Sequence, residues 1–220
     1  MTRYTRVVFA SLTAAALLAS AIATATARNL STSEQNVRVT WASLEFTSEI
    51  TEAIRCRITL EGSFHARTIA KVARQLIGAV TKAIIAHPCT GAGAWAHNGT
   101  EAEPRGTTPN TLPWHITYEG FSGTLPNITL IFLLLSRARF LIRTSGCSGT
   151  YVNSTDNVTG NVVRDPATGA ITTLTPVAGR DRVTLVTRLE GLFCPTRGGF
   201  VGTAQVTRLA STTRITITLI

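Results

Sequence analysis

Ile54, Cys56, Ile58 and Leu60 alternate with Arg55, Arg57 and Thr59, and this pattern constrains the fold more than any other feature of the chain. A period of two puts every apolar side chain on one side of an extended backbone, so the segment reads as a half-buried strand. Val37, Val39 and Trp41 alternate with Arg38 and Thr40 in the same way. Further β-branched or alternating runs predict strands at 114–118, 128–135, 140–142, 161–164, 170–175, 183–189, 200–208 and 214–220. Asp165-Pro166-Ala167-Thr168-Gly169 separates two of these runs with the residue types of a hairpin turn. Residues 97–111, with Asn98-Gly99, Pro104, Gly106 and Pro109, form the longest predicted loop.

One segment breaks the pattern. Over residues 67–86, Ile69, Val72, Ala73, Leu76, Ile77, Val80 and Ile84 fall at the i, i+3, i+4 spacing of a helix face. Arg67, Lys71, Arg74 and Lys82 fall opposite, and Pro88 supplies a stop. The expected fold is therefore mainly β: an antiparallel two-sheet sandwich or partly open barrel with one amphipathic helix packed against it. An outer-membrane barrel is set aside, because such barrels do not carry a long helix between strands and the 128–135 run does not alternate.

The N-terminus reads as a secretory signal peptide over residues 1–27. Arg3 and Arg6 provide the positive start, 7–23 the apolar stretch, and Ala25-Thr26-Ala27 the small residues for cleavage. Residues 28–36 are polar and read as a flexible leader, and 37–220 as a single domain. The apolar run 128–135 stops at Ser136-Arg137 and is too short to cross a bilayer, so no transmembrane anchor is expected after cleavage. The four cysteines Cys56, Cys89, Cys147 and Cys194 all follow the leader. An even count in an exported chain predicts two disulfides, and pairing Cys56 with Cys89 and Cys147 with Cys194 braces each half of the domain. The localisation expected is extracellular or cell-envelope.

The formal charge is +9, carried by 19 arginines and only Lys71 and Lys82 against 12 acids, and falls by two once Arg3 and Arg6 leave with the leader. Such a surface suits an anionic cell-envelope polymer or phospholipid headgroups. The arginines are spread singly along the chain, which gives no specific nucleic-acid signal.

The segment richest in side chains useful for binding is 112–121, with Trp114, His115, Tyr118 and Glu119 as candidate ligand contacts. On a strand, Trp114, Ile116 and Tyr118 share one face and His115, Thr117 and Glu119 the other. His115 and Glu119 then stand roughly 13 Å apart and cannot exchange a proton directly. No catalytic set is assigned. His87 near Cys89 and Gly146-Cys147-Ser148-Gly149 resemble trypsin-type fragments, but Pro88 and Cys147 depart from that pattern and no Asp lies between His87 and Ser148. No metal or cofactor motif is present, and His65, His87, His97 and His115 never fall three or four apart. Asn153, Thr155, Asp156, Asn157 and Gly160 make an oxygen-rich turn without calcium-loop spacing. The Asn-x-Ser/Thr triplets at Asn29, Asn98, Asn127, Asn153 and Asn157 are read as by-products of Thr-rich strands and turns.

The segments Leu60-Glu61-Gly62-Ser63-Phe64-His65, Thr111 to Tyr118 and Phe121 to Ile128 resemble small exported proteins of actinobacterial type that carry no assigned function. That resemblance implies export and one domain, and transfers no catalytic residue. The leading expectation is a non-enzymatic exported binding or structural protein. Its alternatives are a secreted hydrolase whose site forms no linear motif, and a carrier that holds a small apolar ligand between sheet and helix, walled by 128–135.

Overall fold

A computed structural model describes residues 29–48, 53–91, 93–96, 111–144, 146–153, 157–176 and 182–220. The expected signal peptide, His97, most of the expected 97–111 loop, and Thr155 and Asp156 of the oxygen-rich turn lie outside these residues. In chain order the strands are β1 (Asn29–Thr32), β2 (Asn36–Ser48), β3 (Ile54–Phe64), β4 (Thr68–Ala70), β5 (Gln75–Thr90), β6 (Gly93–Ala96), β7 (Trp114–Thr124) and β8 (Asn127–Ser136). They continue as β9 (Phe140–Thr144), β10 (Cys147–Asn153), β11 (Asn157–Arg164), β12 (Ile171–Pro176), β13 (Arg182–Glu190), β14 (Arg197–Val201), β15 (Ala204–Arg208) and β16 (Ile217–Leu219).

Eight of these strands close into an antiparallel barrel in the order β2-β3-β5-β7-β8-β11-β12-β15, with β15 pairing back onto β2 from Ala204↔Trp41 to Arg208↔Val37. Barrel neighbours follow one another along the chain, so this is an up-and-down meander with insertions. The insertions separate by end. β1, β4 and β16 form a three-stranded sheet at the lower end, where Leu30, Ile69 and Ile217 are buried and make a floor. The excursions after β5, β8 and β12 leave from the upper end and supply β6, β9, β10, β13 and β14, which pair in the order β14-β13-β10-β9-β6 and join the upper half of β2 through β14. The second sheet is thus a continuation of the barrel wall. Rings of Trp114, Phe140, Phe200 and Phe46 link the two parts, with centroids 5.3, 5.1 and 5.7 Å apart along the series.

The helix expected at 67–86 is absent: Thr68–Ala70 is β4 and Gln75–Thr90 is β5. The reason lies in two bulges. Against β7 the register steps from Leu76↔Thr117 to Gly78↔Ile116, leaving Ile77 extra, and against β3 it steps from Glu61↔Lys82 to Gly62↔Val80, leaving Thr81 extra. Each bulge adds a residue to a period of two. Buried Ile77, Val80 and Ala83 therefore fall three apart and imitate a helix face. Val72 and Leu76, which a helix would have buried, are 59% and 44% exposed. The bend in β5 also needs Gly62 and Gly78, because a Cβ on Gly78 would lie 2.5 Å from the Ser63 carbonyl oxygen and one on Gly62 would run into that of Ala79.

Three other expectations change. The sandwich or partly open barrel is a closed barrel with outer strands. The expected leader at 28–36 is structured from Asn29, because buried Leu30, 1% exposed, with Thr32 beside it, docks β1 between β4 and β16. The predicted strand 200–208 is two strands, β14 and β15, parted at Gly202, whose neighbours Ser43 and Leu44 leave no room for a Cβ. With no helix among the described residues, the contrast with a membrane barrel rests on the faces. Here the apolar side chains point inward while Glu61, on the outer face, bonds Arg38 at 2.8 Å and lies 3.7 Å from Lys82, the reverse of a lipid-facing wall. Among the described residues no helix is long and apolar enough to cross a membrane.

Both disulfides form as expected, Cys56–Cys89 between β3 and β5 and Cys147–Cys194 between β10 and the loop after β13. The hairpin turn at 165–169 also forms. Asp165 Oδ1 accepts from Ala167 N at 2.9 Å, and Gly169 takes φ 73°. That backbone bond, with the Thr168 side chain second, holds the Asp165 carboxyl below its ordinary range. The folded value is the depressed one, so the turn keeps this support above the usual carboxylate range and loses it as pH falls through the folded value. A carboxyl-carbon NMR titration should place the Asp165 midpoint below that of Asp in a peptide; an equal or higher midpoint contradicts the bond.

Candidate ligand-binding site

The inward faces of the barrel strands do not fill its interior. Val37, Val39 and Trp41 from β2, Leu60 and Phe64 from β3, and Leu133 and Leu135 from β8 face Gly160, Val162, Ile171 and Leu174 across a central space. Ile215 and Ile217 close it below, and it reaches the upper rim at Leu134, Thr159 and Pro176. Water-sized centres can occupy about 130 Å³ of this space, roughly ten times what one water requires. Its lining is almost wholly apolar, so water inside would find few hydrogen-bond partners.

Chain-specific chemistry shapes the space at three places. Gly160 has no side chain where β11 faces the interior, and its nearest neighbours are the Leu174 methyls, 3.6 Å and more from where a Cβ would stand. Leu133 to Leu135 wall it from β8, the run that also stood out in the sequence. Arg164, one turn of the strand pleat below Val162, carries its charge into the floor and is only 8% exposed. Its guanidinium donates to the carbonyls of Ile217 and Ile128, tying floor to wall. Arg164 was missed by sequence reasoning, since an arginine at a strand end usually faces solvent.

The 112–121 segment is β7, and its two faces part as the alternation required. Trp114 and Tyr118 are core, 0% and 2% exposed. Trp114 Nε1 donates to Thr111 Oγ1 at 2.8 Å, at the junction between barrel and second sheet. The Tyr118 hydroxyl has no hydrogen-bond partner among the described residues, and burial raises its pKa. His115 and Glu119 lie on the outer face, His115 between Ala79 and Ser136 in register, Glu119 at a bulge where it accepts from Thr117 Oγ1 at 3.1 Å. These four residues therefore do not converge on one cleft. Nor do the trypsin-like fragments: His87 is exposed on β5, and Ser148 is buried in β10. Among the described residues, no group of His, Cys, Asp or Glu converges as metal ligands would.

The chain matches no protein-family model, no curated protein and no solved structure. Function has to be argued from the barrel itself.

Proposed function

We propose that this protein is a non-enzymatic, exported carrier that holds one small apolar molecule inside its eight-stranded barrel. The observation that supports this reading is the unfilled apolar interior. An eight-stranded barrel either packs its centre with side chains or keeps room for one small ligand. Leaving about 130 Å³ empty costs a fold roughly 3 kcal/mol at about 24 cal/mol per Å³. That cost is removed when an apolar guest occupies the space. The lining selects against polar guests, because a buried donor or acceptor would find no partner there. The size suits a compact hydrocarbon or one segment of an acyl chain. Two disulfides fit folding in an oxidising compartment, and the N-terminal leader directs the chain there.

The test uses benzene, an apolar guest matched to a cavity of this volume, titrated calorimetrically into the wild-type protein and into Gly160→Phe. A Cβ at 160 meets only Leu174 within 4 Å, at ordinary contact distance, and a phenylalanine there is directed into the cavity. Wild type should show a saturable, one-site heat of binding, and at a tenfold excess over Kd the guest should add about 1.4 kcal/mol of stability, about 3–6 °C in Tm for a chain of this size. Gly160→Phe should lose binding at least about tenfold while its Tm stays level or rises, because the void is filled. No saturable binding by wild type, or equal binding by a folded Gly160→Phe, ends the proposal.

A further inference from the structure

The loop between β13 and β14 carries the two most exposed large apolar side chains of the described residues. Leu192 is 81% exposed and Phe193 75%. They are adjacent, and the loop holds them outward at both ends. Gly191 packs directly on the backbone of Gly146 with φ 87°, where any side chain would clash. Cys194 is buried and bonded to Cys147, and Leu185 N donates to the Thr196 carbonyl at 3.0 Å. A glycine contact on one side and a disulfide on the other fix the pair in place. An unconstrained loop would fold such side chains back onto the protein to escape water.

The chain on either side of the pair is basic. Arg188 on β13 and Arg197 on β14 are both exposed, and Glu190 is the only acid between residues 182 and 201. β14 meets β2 at its far end, through Gly198↔Ser48, so this loop stands at the tip of the second sheet, away from the barrel floor. Two outward apolar side chains flanked by guanidinium groups match one surface chemistry: acyl chains just below a layer of anionic phosphate headgroups.

From these features we infer that the 191–196 loop is a membrane-docking tip, which inserts Leu192 and Phe193 among the acyl chains of an anionic bilayer while Arg188 and Arg197 engage lipid phosphates. The inference does not depend on the cavity being a ligand site. It concerns a different end of the molecule and would stand if the barrel stayed empty.

The test is co-sedimentation of the protein, without its leader, with vesicles of phosphatidylcholine alone and of equal phosphatidylcholine and phosphatidylglycerol. Wild type should bind the anionic vesicles and be released as salt rises, since headgroup attraction is screened within a Debye length. Leu192→Ser with Phe193→Ser should weaken that binding at least about tenfold. Arg188→Gln with Arg197→Gln should weaken binding to anionic vesicles about tenfold and leave binding to neutral vesicles unchanged. All four positions are exposed, so the variants should keep the wild-type Tm. Wild type that fails to bind anionic vesicles, or a Leu192/Phe193 variant that binds as well, overturns the assignment. So does a concentration-dependent dimer that the same two substitutions abolish without any vesicle binding, which would make the partner a second copy of the chain.

Discussion

Replacing Arg164 by methionine is expected to destabilise the fold by about 3 kcal/mol and to loosen the barrel floor. Methionine keeps most of the apolar stem, so the loss isolates the guanidinium. That group donates to the Ile217 carbonyl on β16 and, at 2.8 Å, to the Ile128 carbonyl at the start of β8. Each carbonyl deprived of its donor in a buried setting costs about 1–3 kcal/mol. A loss of about 3 kcal/mol lowers Tm by about 6–12 °C in a chain of this size. Urea unfolding should give the free energy, and hydrogen exchange should show faster exchange in β1 and β16 than in β7 or β8. A change below about 1 kcal/mol would mean that other groups hold the floor.

Removing both disulfides, with all four cysteines changed to alanine, has the larger effect. The closed loops span 33 and 47 residues in sequence separation, and the chain-entropy model gives roughly 4 kcal/mol for each. Together these approach the whole stability of a typical domain, about 5–15 kcal/mol. The quadruple variant should be largely unfolded at ambient temperature by near-ultraviolet circular dichroism. The single pairs should differ in place. Cys147 and Cys194 tie β10 to the loop after β13 within the second sheet, so Cys147→Ala with Cys194→Ala should expose β10 and β13 to exchange while β7, β8 and β11 stay protected. Cys56 and Cys89 join barrel strands β3 and β5, whose upper ends pack against Phe140, Ile142 and Phe200 of the second sheet, so their loss should lower protection in both. Uniform loss of protection in either double variant would show one indivisible folding unit.

How much of this was legible in the chain can be judged strand by strand. The regular alternation of 54–60 became β3 with the expected faces, and Trp114, Ile116 and Tyr118 turned inward together on β7. The turn at Asp165–Gly169 formed because its donors, acceptor and left-handed glycine are contiguous. Residues 75–86 of the expected 67–86 helix were misread because bulges at Ile77 and Thr81 insert residues that only the neighbouring strands define. Leu30 was passed over because one apolar residue in a polar stretch carries no period, although together with buried Thr32 it anchors a four-residue strand between two others.

The site followed a different rule. An apolar wall at 128–135 was visible, and its last three residues do line the cavity. The cavity itself was not, because a void is a difference between volumes that meet and volumes that do not, and the same leucines could fill a core or surround a space.

By itself, the sequence determined the mainly β class, the faces of the regular strands and the disulfide-compatible cysteines, all of which are local or countable properties. Closure of the barrel by β2 on β15, the floor drawn from three distant segments, the buried Arg164 and the empty interior were decided only by tertiary structure. Each depends on residues far apart in the chain, as Trp41 is from Ala204, meeting at one distance and register, and no local pattern encodes that meeting.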